Sequence, residues 1–386
     1  MSDSTSTSTP TSTSKLFAPI KIGAHTLQHR VVMAPLTRYK ANPKDSVPML
    51  PLVKEYYAQR ASCSGTLLIT ESTLISRAGG GRDNTPGIWS AAQIGAWKEI
   101  VDGVHAQGSF IYVQIRAMGR GADPAELEAK GLPFVGPSAI PISGKKTPRP
   151  LTIPEIKEYV DWFGKAARNA VEEAGFDGVE LHFANGYLVD QFIQDVSNQR
   201  EDEYGGSVEN RSRFALEVVD CVARAIGEEK VGVRLSPWSI FLDMGMKDPI
   251  PQFTYLIQAL KDQYPDLAFL HLVEPRIAGS GDADKSHAQV PESNDIFRKI
   301  WAPKPLITAG GFTRQSAVKR ADEEGDLIAF GRLFISNPDL PARLKYDIPL
   351  TRPDRKTFYV PGTQEGTEIG YTDYPFAEGL IDVHKP

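Results

Sequence analysis

The sequence predicts a (β/α)8 TIM barrel formed by a single domain. Eight short apolar runs alternate with longer segments of helical periodicity, which is typical of repeated βα units and a parallel sheet. The runs are nearly continuous in Val, Ile and Leu, as expected of parallel strands that are buried on both faces. The repeats span about 330 residues, which accommodates a barrel of roughly 250 residues with insertions.

Strands and helices can be assigned in strict alternation. The strands are predicted at residues 30–34, 66–70, 110–114, 178–182, 231–235, 267–272, 305–309 and 327–330. The helices that follow them are predicted at residues 51–60, 91–106, 154–174, 208–226, 251–261, 295–301, 314–324 and 338–345. The excess length forms an insertion after strand 3, rich in Gly and Pro. A doubly wound sheet is the main alternative, but the first strand is not followed by Gly-x-Gly-x-x-Gly.

Composition excludes several classes of protein. The chain has 386 residues, a net charge of -5 and basic residues spread throughout, which argues against a nucleic-acid partner. No apolar run is long enough to span a membrane, and the N-terminus lacks the features of a signal peptide, so a cytoplasmic location is expected. Two distant cysteines predict neither a disulfide framework nor a metal site. We expect residues 1–15 to be a disordered Ser/Thr-rich tail and residues 16–386 to form the barrel.

Three polar side chains follow the fourth predicted strand. His182, Asn185 and Tyr187 lie within six positions, where a tight loop can direct the first two into one pocket. There, two neutral donors could hold a carbonyl oxygen and stabilise negative charge on it, while Tyr187 supplies a proton. The alternative is a core histidine, an Asn-Gly turn and a packed aromatic ring. The long polar loop at residues 198–211 favours the functional interpretation, because folds rarely keep such loops without a role.

Glycines follow the last two predicted strands. Gly310-Gly311 and Gly331 allow a phosphate to approach backbone N–H groups, and Arg332 adds a charged contact. Each pair alone could be a tight turn, but two such turns on adjacent strands favour a phosphate site.

If that phosphate belongs to a flavin mononucleotide, its ring system must lie across the mouth of the barrel. Gln114 and Arg234 suit the pyrimidine edge of the ring, and Thr37 could donate its hydroxyl to the C4 carbonyl. A structural ion pair inside the barrel is the alternative for Arg234.

The chain resembles the Old Yellow Enzyme family of flavin-dependent ene-reductases, in its fungal-type members. The resemblance extends over nearly the whole chain except the tail. It is carried by the HFANGYLVDQF and NQREDEYGGSVENRSRF segments at 182–192 and 198–214, MAPLTR at 33–38, GVRLSP at 232–237, AGGF at 309–312 and FGRLFISNPDLPARL at 330–344.

The resemblance implies a role for each matching residue. Bound FMN would contact Pro35, Leu36, Thr37, Ser72, Gln114, Arg234, Gly310, Gly311, Gly331 and Arg332. His182 and Asn185 would anchor the substrate carbonyl, and Tyr187 would be the proton donor. Phe358 and Tyr359 match an aromatic lid over the substrate. NADPH would be the reductant, with NADH as the alternative.

Three residues depart from the family pattern. Arg116 stands where Trp or another large residue is common, and it could bind an acidic substrate, bind the phosphate of the reductant or turn to solvent. Ser72 replaces the more usual Gly or Ala beside the flavin. Phe183 follows His182 where a small residue is common, and we expect it to narrow the pocket.

The predicted activity is reduction of the C=C bond of an α,β-unsaturated aldehyde or ketone in a ping-pong cycle. An isomerase or desaturase of a secondary-metabolite pathway is the alternative within the family. A flavin-free barrel lyase or aldolase is the alternative of another class. The expected partners are small molecules only, without nucleic acid or membrane, and the chain is expected to be either a monomer or a homodimer.

Overall fold

A computed structural model describes residues 13–279, 281–282 and 292–378, and it confirms the predicted barrel. The eight barrel strands are numbered β1 to β8 in chain order. They are Val31–Met33, Leu67–Ile69, Phe110–Arg116, Gly178–Phe183, Val231–Leu235, Phe269–Val273, Leu306–Ala309 and Leu327–Phe330. The predicted tail lies outside the described residues except for its last three, of which Ser14 and Lys15 hydrogen-bond to Asp322.

The eight strands close into one cylinder. Each strand pairs in parallel with the next, and β8 pairs back with β1, where Ile328 lies opposite Val31. Since all strands run in one direction, their carboxyl ends meet at a single rim. The polar residues predicted at the strand ends therefore converge there.

Eight helices, numbered α1 to α8, surround the strands. They are Leu52–Arg60, Ala91–His105, Ile153–Arg168, Val208–Ile226, Ile250–Gln263, Asp295–Trp301, Arg314–Glu324 and Leu340–Tyr346. Capping boxes fix the start of α2 at Ser90 and of α3 at Thr152, because each side chain satisfies an N–H group that the helix leaves unpaired. The α-helix predicted at 154–174 ends at Arg168 and continues as one π-helical turn. Within the described residues, no helix is long and apolar enough to cross a membrane.

Several smaller elements were not predicted. A hairpin of Ile20–Ile22 and His25–Leu27 covers the end of the barrel opposite the rim, where Gly23 approaches the backbone of Glu229. The insertion after β3 contains a short helix, Pro124–Ala129, and a two-residue parallel strand pair. Helices Leu188–Ile193 and Arg332–Ser336 follow β4 and β8 directly. These runs are too short to give a clear periodicity.

Alternation along β4 decides which side chains reach the site. Glu180 and His182 point into the barrel, whereas Val179, Leu181 and Phe183 pack in the core between the strands and the helices. The expectation that Phe183 narrows the pocket is therefore wrong, because adjacent residues of a strand face opposite sides.

Candidate active site

A cavity of about 700 Å³ opens at the carboxyl rim of the barrel. All the residues predicted for the site contribute to its lining. These are Pro35, Leu36, Thr37, Ser72, Gln114, Arg116, His182, Asn185, Tyr187, Arg234, Gly310, Gly311, Gly331, Arg332, Phe358 and Tyr359. The structure thus places them together, while their individual roles stay predictions. Two polar residues at strand ends do not reach the cavity: Glu71 accepts from the Arg38 N–H, and Glu274 accepts from Thr308.

A tight turn after β4 positions Asn185. Asn185 and Gly186 both have left-handed backbone conformations, with φ of 55° and 72°. Asn tolerates this region better than most residues, and Gly adopts it without strain. The Asn185 N–H donates to the Ser236 hydroxyl at 2.7 Å, and the Gly186 N–H donates to the Asp190 carboxyl at 2.8 Å. The turn is therefore held by side chains that the sequence analysis did not identify.

His182 and Asn185 both carry buried polar atoms that lack a protein partner. Nδ1 of His182 and Oδ1 of Asn185 are buried without a hydrogen bond, and the described residues offer no partner to the other polar atom of either side chain. Burial, together with the charges of Arg234 and Arg116, holds the pKa of His182 well below its usual range. The imidazole is therefore neutral at physiological pH, so that one of its nitrogens can donate a hydrogen bond while the other can accept one.

The Tyr187 ring lies close to both His182 and Arg116. Its ring centroid is 5.0 Å from that of His182, and the guanidinium carbon of Arg116 lies 4.2 Å from it. No described residue hydrogen-bonds to the Tyr187 hydroxyl. The proton of this phenol is therefore available to a molecule in the cavity, close to the ring of His182.

A buried polar layer lies below the floor of the cavity. Glu180 is fully buried, accepts from Gln114 Nε2 at 2.6 Å and pairs with His271 Nδ1 at 2.6 Å. Burial lowers the pKa of His271, while the Glu180 charge raises it. Burial also lowers the pKa of Arg234, again opposed by Glu180. One carboxylate thus orients Gln114 and compensates the Arg234 charge; neither Glu180 nor His271 was predicted, since both fit the pattern of a buried strand.

The two glycines after β7 lie so close to neighbouring side chains that neither position has room for a Cβ atom. Gly311 has a φ of 64°, and a Cβ there would lie 2.4 Å from the guanidinium carbon of Arg276. A Cβ at Gly310 would lie 2.4 Å from the Glu274 side chain. Gly331 begins the short helix that contains Arg332, so backbone N–H groups and a positive charge lie on the same side of the cavity. This arrangement suits a phosphate group.

The two predicted lid residues occupy different environments. Phe358 is buried, with its carbonyl accepting from the Arg38 guanidinium at 3.0 Å. Tyr359 is 41% exposed and its ring lies 5.9 Å from that of Tyr39. Tyr39, Arg82, Phe241 and Arg276 also line the cavity and were missed, because each lies in a loop without a strand-end signal.

The cavity combines neutral side chains that can donate hydrogen bonds with glycine turns that suit a phosphate, which is the combination expected of a flavin-dependent oxidoreductase. The family described as "NADH:flavin oxidoreductase / NADH oxidase family" matches residues 15–351. The Old Yellow Enzyme of Pichia sp. superposes with a TM-score of 0.87, at 37% identity over 96% of this chain and 95% of that one. The protein belongs to this family, and to its Old Yellow Enzyme group.

Curated fungal relatives cover almost the whole chain. The NADP-dependent oxidoreductase lnbE of Aspergillus flavus is 50% identical over 96% of this chain and 98% of its own length. The chanoclavine-I aldehyde reductase fgaOx3 of Penicillium roqueforti is 50% identical over 94% of this chain and 96% of its own length. The probable inactive reductase easA of Epichloe festucae var. lolii is 48% identical over 97% of this chain and 98% of its own length. Membership implies a flavin and a nicotinamide cofactor, so the flavin-free lyase is no longer a candidate.

Proposed function

We propose that this protein is an FMN-dependent ene-reductase that oxidises NADPH and reduces the C=C bond of α,β-unsaturated aldehydes and ketones. The observation that carries the proposal is the pair His182 and Asn185, buried, neutral and without protein partners, next to the available hydroxyl of Tyr187. A carbonyl oxygen is the acceptor that such a pair of donors suits. The names of reductase relatives support the same activity.

The lining of the cavity suits FMN because it contains buried polar atoms without partners and glycines at the ends of two strands. Buried polar atoms without a partner, such as Ser72 Oγ and Arg234 Nε, are expected where a ligand supplies the missing hydrogen bonds. We assign the phosphate to Gly310, Gly311, Gly331 and Arg332, and the ring system to Pro35, Leu36, Thr37, Ser72, Gln114 and Arg234. FMN, when bound, supplies the redox chemistry that side chains lack, accepting a hydride from NADPH and transferring it to the β-carbon of the substrate.

The residues of the chain then contribute binding, polarisation and a proton. His182 and Asn185 donate to the substrate oxygen, which gains negative charge as the β-carbon is reduced. Each donor is worth roughly 3 to 4 kcal/mol in sites of this kind. Tyr187 delivers its proton to the α-carbon, completing a net reduction. Phe358 and Tyr359 cover the substrate from the side of the C-terminal segment.

Anaerobic spectroscopy of the purified protein tests this function. The protein should be yellow with bound FMN, lose its colour on addition of NADPH and regain it when an enal such as cinnamaldehyde is added. The product should gain two hydrogens. A protein that cannot bind FMN would refute the proposal, and so would bleaching by NADPH without recovery by any enal or enone.

Net reduction must also be separated from isomerisation or desaturation. A reductase consumes one NADPH for each product molecule, whereas an isomerase needs only a catalytic amount. Because one relative carries the name of an inactive reductase, stoichiometry must be measured on this protein itself. Comparing NADPH with NADH in the bleaching step identifies the preferred reductant.

A further inference from the structure

Arg116 is a buried charge without an ionic partner in the described part of the chain. It is only 2% exposed, its Nε has no hydrogen bond, and its contact there is the Tyr187 ring at 4.2 Å. An aromatic face attracts a cation but supplies no oxygen to accept its N–H groups. A guanidinium in this position lacks the acceptor that buried arginines normally have.

The cavity itself provides no such acceptor. Among the described residues, its lining contains six arginines and no Asp or Glu. The buried carboxyl of Glu71 lies nearby, but its Oε2 accepts from the Arg38 N–H, and burial raises its pKa to about 7. The charge of Arg116 opposes this rise in the pKa of Glu71, but no hydrogen bond or ion pair joins the two side chains in the described part of the chain. A molecule bound in the cavity could therefore supply the acceptor that Arg116 lacks.

We propose that Arg116 is a specificity-determining residue that selects α,β-unsaturated aldehydes or ketones carrying a carboxylate. This inference rests on the proposed ene-reductase function and adds a substrate class to it. A planar guanidinium can bind both oxygens of a carboxylate, which gives orientation as well as affinity. Since Arg116 contacts Tyr187, the carboxylate is held on the side of the substrate where the proton is delivered.

The position of Arg116 favours the substrate over the reductant as the source of the anion. In a nicotinamide dinucleotide a ribose separates the reacting ring from the nearest phosphate. A phosphate would therefore lie farther out than the groups beside the reacting ring. Arg116 is buried against the proton donor, whereas Arg82 is exposed and its guanidinium carbon lies 5.4 Å from the Tyr39 ring. Arg82 is thus better placed than Arg116 to contact phosphates of the reductant.

Matched substrates test the inference directly. The 3- and 4-carboxycinnamaldehydes and their methyl esters differ in charge at a position remote from the C=C bond. We expect the wild-type holoenzyme to prefer at least one acid over its ester by roughly tenfold or more in kcat/KM. Arg116→Met should bring this ratio close to one, and Arg116→Lys should retain part of it. Arg224→Met removes an equal charge from an exposed position on α4, outside the cavity, and should keep the wild-type ratio.

Each other outcome contradicts the inference. A wild-type enzyme that reduces the esters without preferring any acid would show that Arg116 selects no carboxylate, although the reductase function would stand. If Arg116→Met slows acid and ester equally, the residue acts through Tyr187. If it leaves the ratio intact but raises the KM for NADPH, the anion belongs to the reductant. Failure to reduce all four compounds while cinnamaldehyde is still reduced would overturn the inference alone, whereas bleaching by NADPH without recovery by any enal or enone would refute the proposed function. FMN content and thermal melting would identify a misfolded variant.

Discussion

The rings of His182 and Tyr187 lie with their centroids 5.0 Å apart and their planes inclined by 64°. The residues that we propose as carbonyl donor and proton donor are therefore neighbours in one cavity, although they come from the end of a strand and from the start of a short helix. Under the proposed function, this proximity would allow one bound enal to be polarised at its oxygen and protonated at its α-carbon without moving.

Replacing Tyr187 with Phe should separate the two halves of the catalytic cycle. The variant keeps the ring beside His182 but loses the only proton that we assign to the α-carbon. We expect bleaching by NADPH at the wild-type rate and re-oxidation by an enal slowed by roughly 10²- to 10⁴-fold. Stopped-flow absorbance measures both steps, and equal re-oxidation rates would contradict the assigned role.

Replacing His182 with Ala should slow re-oxidation by roughly 10²- to 10³-fold, because one of the two donors to the developing oxyanion is lost. The pKa of His182 is held well below its usual range by burial and by Arg234 and Arg116, so the wild-type imidazole stays neutral from weakly acidic to alkaline pH. The rate with a neutral enone should therefore show no inflection near the ordinary histidine pKa of about 6.5. An inflection there that disappears in His182→Ala would show that the imidazole is charged.

Residues at the strand ends could be predicted from the sequence because two rules act together. Parallel strands buried on both faces give recognisable apolar runs, and closure of the barrel brings their carboxyl ends to one rim. Gln114, His182 and Arg234 interrupt such runs at their ends and reach the cavity. Glu71 and Glu274 also follow strands but bond to neighbouring residues instead.

Supporting residues could not be predicted in the same way. Glu180 and His271 lie inside apolar runs, and only the pairing of β4 with β3 and with β5, and of β5 with β6, brings them together below the cavity. Asp190 looks like an ordinary helix residue until the turn at Gly186 is seen to depend on it. Arg116 departs visibly from the family pattern, but its burial against Tyr187 depends on packing across loops.

Glu180→Gln should weaken FMN binding by roughly tenfold. The substitution removes the charge that compensates Arg234 and disturbs the 2.6 Å hydrogen bond that orients Gln114. Quenching of FMN fluorescence by the apoprotein gives the Kd. Glu217→Gln is the matched control, since Glu217 pairs with Lys157 on the outer helices and should leave the Kd unchanged. Equal affinities of the two variants would show that Glu180 does not support the flavin site.

Gly311→Ala should lower both FMN affinity and stability. Its φ of 64° is unfavourable for Ala by about 1 kcal/mol, and the new methyl group would contact Arg276 inside the predicted phosphate cradle. Gly325→Ala provides the control, because Gly325 has a similar φ of 77° but no atom within 4 Å of the position that a Cβ would take. Both variants should melt earlier, and only Gly311→Ala should bind FMN more weakly. A normal Kd in Gly311→Ala would remove the argument for a phosphate at this glycine.

His29 should make the protein sensitive to acid at a site far from catalysis. Its Nδ1 accepts the Val31 N–H and its Nε2 pairs with Thr66, and burial lowers its pKa to about 4. Between pH 6.5 and pH 4 the unfolded chain binds a proton at this residue that the folded chain does not, so stability falls as the pH falls, by up to about 3 kcal/mol. Chemical denaturation should show this dependence reduced in His29→Gln. His105→Gln should instead make the fall in stability at low pH steeper. Hydrogen bonding to Asp177 raises the pKa of His105, so His105 stabilises the wild-type protein at low pH and this stabilisation is lost as the pH rises. Identical pH profiles for wild type and His29→Gln would contradict the prediction.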